Sequence, residues 1–175
     1  RERGRFKGKE FYQYSRAQAL DVMWRTKIIT PDLAPHPRFN IDQKGKYFFT
    51  GGASGGYGIL VNDEKYILPL LGLLNSSLFD WYIKKSSSTF RGGFYSYESR
   101  FIRDFPTYEP ERLKDIDTLV QKILDIKVKM LNSDNTVKQV LNRQLEKTRI
   151  EIDQFVYQLY GLTKEEIDVI EGKNE

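Results

Sequence analysis

The run Tyr108-Glu109-Pro110-Glu111-Arg112-Leu113-Lys114-Asp115-Ile116 divides the 175-residue chain into two halves of different chemistry. Residues 1–108 carry 17 Lys/Arg and 10 Asp/Glu, a balance of +7, whereas residues 109–175 carry 11 and 14, a balance of −3. The first half also holds 21 of the 24 aromatic residues and 11 of the 13 glycines. The second is left rich in Lys, Glu, Asp, Leu, Ile and Val, so only the first half is suited to contact with a polyanion.

Downstream of the divide the spacing predicts helices. Leu113, Ile116, Val120, Ile123 and Met130 recur on one helical face, and the run ends at Asn132-Ser133-Asp134-Asn135, a cluster of cap and turn formers. Leu141, Leu145, Thr148, Ile152, Phe155 and Leu159 then repeat in steps of three and four, which sets a second seam facing the first across an antiparallel hairpin. Gly161 stops that helix, and Thr163 with Glu166 fits a capping box opening a short last helix through Ile170. This half reads as a supporting helical hairpin without chemistry of its own.

Upstream the pattern is mixed. Phe11 to Trp24 fits a short helix, while Lys27-Ile28-Ile29-Thr30, Lys46-Tyr47-Phe48-Phe49-Thr50 and Tyr57 to Val61 fit strands bounded by Pro and Gly. Ile67 to Lys84 fits a helix with Leu70, Leu71, Leu74, Leu78 and Trp81 on one face, its propensity interrupted at Asn75-Ser76-Ser77. Phe90 to Tyr97 fits a strand pair or a kinked strand. The expected fold is α+β: a β-rich globule over residues 1–108, then a C-terminal antiparallel helical hairpin over residues 109–175.

Composition removes whole classes. With 39% hydrophobic and 30% charged residues the chain is globular, not disordered or collagen-like. It contains no Cys, which excludes disulfides, thiol nucleophiles and cysteine-held zinc, and His36 is the sole His, which excludes His-pair metal sites. No apolar run has the roughly 18 residues of a membrane helix and no secretory signal opens the chain, so a cytoplasmic protein without membrane contact is expected. The opening Arg1-Glu2-Arg3-Gly4 suggests a piece of a longer polypeptide.

Two motif matches fall short. In Thr50-Gly51-Gly52-Ala53-Ser54-Gly55-Gly56-Tyr57-Gly58 the glycines could bring backbone amides close to phosphates, but Tyr57-Gly58 stands where a nucleotide-binding loop needs Lys-Ser/Thr. No Asn/Asp-Pro-Pro-Tyr tetrapeptide accompanies the loop, so the chain is not itself a methyltransferase. Asp32, Asp42 and Lys44 match the acidic-pair-plus-Lys pattern of magnesium-dependent nucleases, although Pro35 and Pro37 argue against the strand hairpin such a site needs. That match is kept as a rival reading. A third reading makes the helical hairpin a protein-interaction surface. The stronger signal is the interleaving of Arg and Lys with Tyr, Phe and Gly through the first half, which supplies both phosphate neutralisation and groups able to read base edges.

Five ordered blocks carry a resemblance. Lys27-Ile28-Ile29-Thr30-Pro31-Asp32-Leu33-Ala34, Tyr47-Phe48-Phe49-Thr50-Gly51-Gly52, Leu73-Leu74-Asn75-Ser76 leading to Trp81-Tyr82, Phe90-Arg91-Gly92-Gly93-Phe94-Tyr95, and Phe105-Pro106 together resemble the TaqI-like C-terminal specificity domain. That domain is the target recognition module of type IIG restriction enzymes and related adenine-specific DNA methyltransferases. The segment Val156-Tyr157-Gln158-Leu159-Tyr160-Gly161-Leu162-Thr163 is similar to the helical region that follows it.

The resemblance implies a module that grips double-stranded DNA, largely through the major groove, and chooses the sequence. It also implies that catalysis, with S-adenosylmethionine and magnesium, belongs to upstream methyltransferase and nuclease domains, so no cofactor or metal is expected in this segment. Base-reading residues in the family lie in variable loops, so the site residues expected here come from their chemistry alone. Arg91, Tyr95, Tyr97, Arg100, Ser54 and Tyr57 are expected at groove edges, and Lys27, Arg38, Lys44, Lys46, Lys84 and Lys85 at phosphates.

Overall fold

A computed structural model describes residues 19–51, 55–108 and 112–173. Two small antiparallel sheets share one run of chain. β1 (Lys27–Pro31) lies between β3 (Asn40–Asp42) and β4 (Gly56–Ile59), with Ile28 opposite both Ile41 and Ile59. One residue later β2 (Leu33–Ala34) pairs with β6 (Phe94–Ser96), which also pairs with β5 (Thr89–Phe90). Asp32 is therefore the seam between the sheets, its amide donating to the Gly55 carbonyl at 3.1 Å and its carbonyl accepting from Tyr97 at 2.7 Å.

The β5–β6 turn needs glycine twice: Gly92 and Gly93 have φ of +89° and +76°, which side-chain-bearing residues rarely adopt. The Phe90–Tyr97 segment is thus a strand pair. The expected strand at Lys46–Thr50 does not form. The Asp42 carboxylate accepts from the Lys46 and Tyr47 amides at 3.0 Å each, so these two donors close a local turn instead of extending a ladder. The expected helix Phe11–Trp24 falls largely outside the described residues, and its described end, from Ala19, is a series of turns.

The Ile67–Lys84 segment is two helices, α1 (Ile67–Leu74) and α2 (Ser77–Ser86), each residue of the break having its own task. Asn75 clamps the preceding loop, donating to Phe39 O at 3.1 Å and to Leu71 O at 2.9 Å while its Oδ1 accepts from Phe39 N at 3.1 Å. Ser76 caps α2 by accepting from Phe79 N. Ser77 donates its amide and hydroxyl to Asp153, at 2.8 and 2.7 Å, tying α2 to the C-terminal helices.

After the short α3 (Ser99–Arg103), α4 (Lys114–Leu131) and α5 (Asn135–Tyr160) form the expected antiparallel hairpin. Asp134 caps α5, Gly161 ends it in the left-handed region at φ 64°, and Thr163 with Glu166 forms the capping box of α6 (Lys164–Ile170). The fold is α+β, as expected. One hydrophobic core runs from Ile28, Leu73, Phe79 and Tyr97 into Ile116, Val120, Ile152 and Val156 of the hairpin, so the compositional step at Tyr108 coincides with no gap in packing. Gly72 makes the close approach possible: a Cβ there would sit 2.3 Å from Ile116 Cγ2 and 2.7 Å from Val120 Cγ2. Among the described residues no helix is long and apolar enough to cross a membrane.

Candidate functional site

At the seam, polar groups gather on the face of β6 turned away from the core. Side chains alternate along a strand, so Tyr97 enters the core and Ser96 lies on the opposite face. Ser96 Oγ donates to Glu98 Oε1 at 3.3 Å and accepts from the Glu98 amide at the same distance. Glu98 Oε1 also receives Arg100 Nη2 at 3.1 Å. The Arg100 guanidinium stacks over the Phe101 ring, 4.6 Å from its centroid, so its plane is held from two sides.

Asp32 lies beside this pair. It is 5% exposed, and its Oδ1 meets no hydrogen-bond donor among the described residues. Burial and the neighbouring Glu98 carboxylate both push its carboxyl above the ordinary value. Tyr57, on β4 opposite Thr30, completes the group. Its phenol is pushed up by burial and by Asp32 and Glu98, with Arg100 opposing. Tyr57 and Arg100, far apart in sequence, are thus brought together, and Asp32, Ser96 and Glu98 join them. Sequence reasoning passed over Glu98, whose only signal is its place two residues before Arg100.

The β5–β6 hairpin stands next to this cluster in the chain. Arg91 is exposed in its turn, and Phe90 and Phe94, paired across the strands, are both exposed. Tyr95 is half-buried and packs toward the core. Lys84 and Lys85 are exposed in the last turn of α2, just before β5, with Lys84 donating to Asp80 at 2.8 Å. Lys44 and Lys46 are exposed in the turn after β3. Arg38 lines a separate cleft of about 580 Å³ between the 36–41 loop, the α1–α2 junction and the hairpin. Ser54 lies outside the described residues.

Two expected contacts are corrected. Tyr97 is 0% exposed and packs edge-on against Phe39, 5.9 Å between centroids, so it is a core residue and not a groove contact. Lys27 is not a phosphate contact either. Its ammonium is 2.6 Å from Asp42 Oδ2, with the two side chains 3% and 2% exposed, because its place opposite Asp42 directs it into the fold.

The nuclease arrangement is corrected by the same pairing. Both Asp42 oxygens are occupied, Oδ2 by Lys27 and the Tyr47 amide and Oδ1 by the Lys46 amide. Burial alone would raise this carboxyl, but those bonds hold it down at about 2. Asp32 lies at the other end of β1, five residues from Lys27 and so roughly 16 Å away along the strand. Asp32 and Asp42 cannot hold one metal ion between them.

A family profile for the TaqI-like C-terminal specificity domain matches residues 3–107, three-fifths of the chain. No curated protein matches the chain.

Proposed function

Since the chain belongs to the TaqI-like C-terminal specificity domain family, whose members recognise DNA sequence in restriction-modification enzymes, we propose that it directs upstream adenine methyltransferase and nuclease domains of the same polypeptide to one target site. A specificity domain is not itself the catalyst, so S-adenosylmethionine and magnesium belong to those partner domains. The observation that carries the reading is the family match over the basic, aromatic-rich half.

Arg91, Arg100, Ser54 and Tyr57 are the groove-edge contacts left after Tyr97 is assigned to the core, with Tyr95 supporting the hairpin from below. Lys44, Lys46, Lys84 and Lys85 are the phosphate contacts, all exposed and all able to release counterions. The hairpin α4–α5 braces the module and faces the partner domains with its free end, where Val128, Leu131, Val137 and Val140 are exposed.

The test is selection from a randomised duplex pool across a salt series, with sequencing of the retained DNA. Enrichment of one short motif with steep salt dependence supports target recognition, and binding without enrichment reduces the chain to a basic surface. Arg91→Ala is then expected to weaken the preferred site more than random duplex; equal loss on both removes Arg91 from the base contacts.

A further inference from the structure

We propose that Glu98 and Arg100 read a single G·C base pair in the major groove, Arg100 donating to guanine O6 and N7 and Glu98 accepting from cytosine N4. This rests on the target-recognition reading above and adds to it the base pair and a residue, Glu98, that does the reading.

The geometry matches two bonded pairs side by side. In a G·C pair guanine O6 accepts from cytosine N4 at about 2.9 Å, and both atoms still face the major groove. On the protein, Arg100 Nη2 and Glu98 Oε1 are 3.1 Å apart, donor next to acceptor in the same sense. Laid together, the two pairs satisfy each other: the guanidinium fork meets O6 and N7, and the carboxylate meets the remaining N4 hydrogen. An A·T pair breaks this match at both atoms, Arg meeting the adenine amino group and Glu meeting thymine O4, whereas a T·A pair keeps the acceptor and the donor but puts the thymine methyl group where N7 stood, so the fork loses its second bond.

Three features set this pair apart from an ordinary surface ion pair. Arg100 is pre-oriented by Phe101 and Glu98 while its side chain remains 59% exposed, so its fork is aimed and still reachable. Ser96 Oγ holds the Glu98 carboxylate from behind, and although Glu98 is the N-cap residue of α3 its side chain does not cap the helix. Asp32, a second carboxylate almost fully buried beside Glu98, has its Oδ1 without a hydrogen-bond donor among the described residues and brings a second acidic group next to Glu98. Uncompensated acceptors of this kind in a basic half suit an incoming hydrogen-bond donor.

The experiment applies the same randomised-duplex selection to the chain and to its Glu98→Ala, Glu98→Gln and Arg100→Ala variants, with thermal melting as the fold control. The wild-type motif is expected to contain a G·C pair whose preference falls about tenfold or more in Glu98→Ala, with the other positions unchanged. Arg100→Ala is expected to relax the same position. Glu98→Gln keeps the side-chain shape and is expected to weaken discrimination against A·T there, because an amide can donate to thymine O4 where a carboxylate cannot. A wild-type motif that survives Glu98→Ala and Glu98→Gln with every position unaltered overturns the pair while leaving target recognition standing. A wild-type chain that enriches no motif overturns sequence reading by the chain, and this pair with it.

Discussion

Lys27 and Asp42 face each other across β1 and β3 as a buried ion pair 2.6 Å long, with Lys27 also donating to the Met23 carbonyl. The Asp42 carboxylate takes two further amides from the turn that follows it. One acid thus closes a sheet edge and orders the loop carrying Lys44 and Lys46.

Removing one partner leaves the other charge buried without compensation. Lys27→Met is expected to destabilise the fold by about 3–5 kcal/mol, measured by urea unfolding at pH 7. Lys44→Ala, on the exposed turn, should stay within about 0.5 kcal/mol of the parent. Equal effects from the two would contradict the buried pairing.

The same carboxylate gives a pH signature. Its folded value, about 2, lies below the ordinary 3.8. Its ionised form therefore stabilises the fold above about pH 4, and that contribution is lost as pH falls toward 2. Acid titration of Asp42→Asn alongside the parent should show a smaller loss over this window in the variant, from a lower stability at pH 7.

Asp32 has the opposite sign. Its carboxyl is raised, so the ionised form costs stability at neutral pH and the cost disappears once the group is protonated. Asp32→Asn should raise the melting temperature at pH 7, with the gain shrinking on acidification through the carboxylate range. A lower melting temperature at pH 7 would show that the charge is compensated in the fold.

Gly72→Ala tests the join between globule and hairpin. A methyl group 2.3 Å from Ile116 Cγ2 must push α1 from α4, at a cost of about 1–3 kcal/mol for overpacking. Hydrogen exchange should show amides of both helices losing protection together; loss confined to α1 would show that the two helices move independently.

The phosphate contacts separate from the base contacts in salt. Lys84→Ala and Lys85→Ala should each lower the slope of log K against log salt by about 0.9 on duplex DNA without changing the enriched motif. A change of motif would move either residue to the base-reading group.

The sequence by itself determined the elements whose signals are local. Helix seams such as Leu141-Leu145-Thr148-Ile152, the Gly161 stop, the Thr163–Glu166 box and the Gly92-Gly93 turn each depend on residues within a few positions of one another, and all are present. The same locality lets the five blocks mark the family from sequence. Partnerships across long separations were decided by the tertiary structure alone. Lys27 and Tyr97 carry groups suited to DNA, but strand register turns one onto Asp42 and packs the other against Phe39. Asn75-Ser76-Ser77, legible as a break in helical propensity, became a junction because Phe39 and Asp153 were folded against it. Asp32, Tyr57, Glu98 and Arg100 meet only because a single run of chain feeds two sheets and turns at Asp32. Side-chain chemistry is written residue by residue, whereas burial and partners depend on strand register and packing, which arise only once the whole core closes.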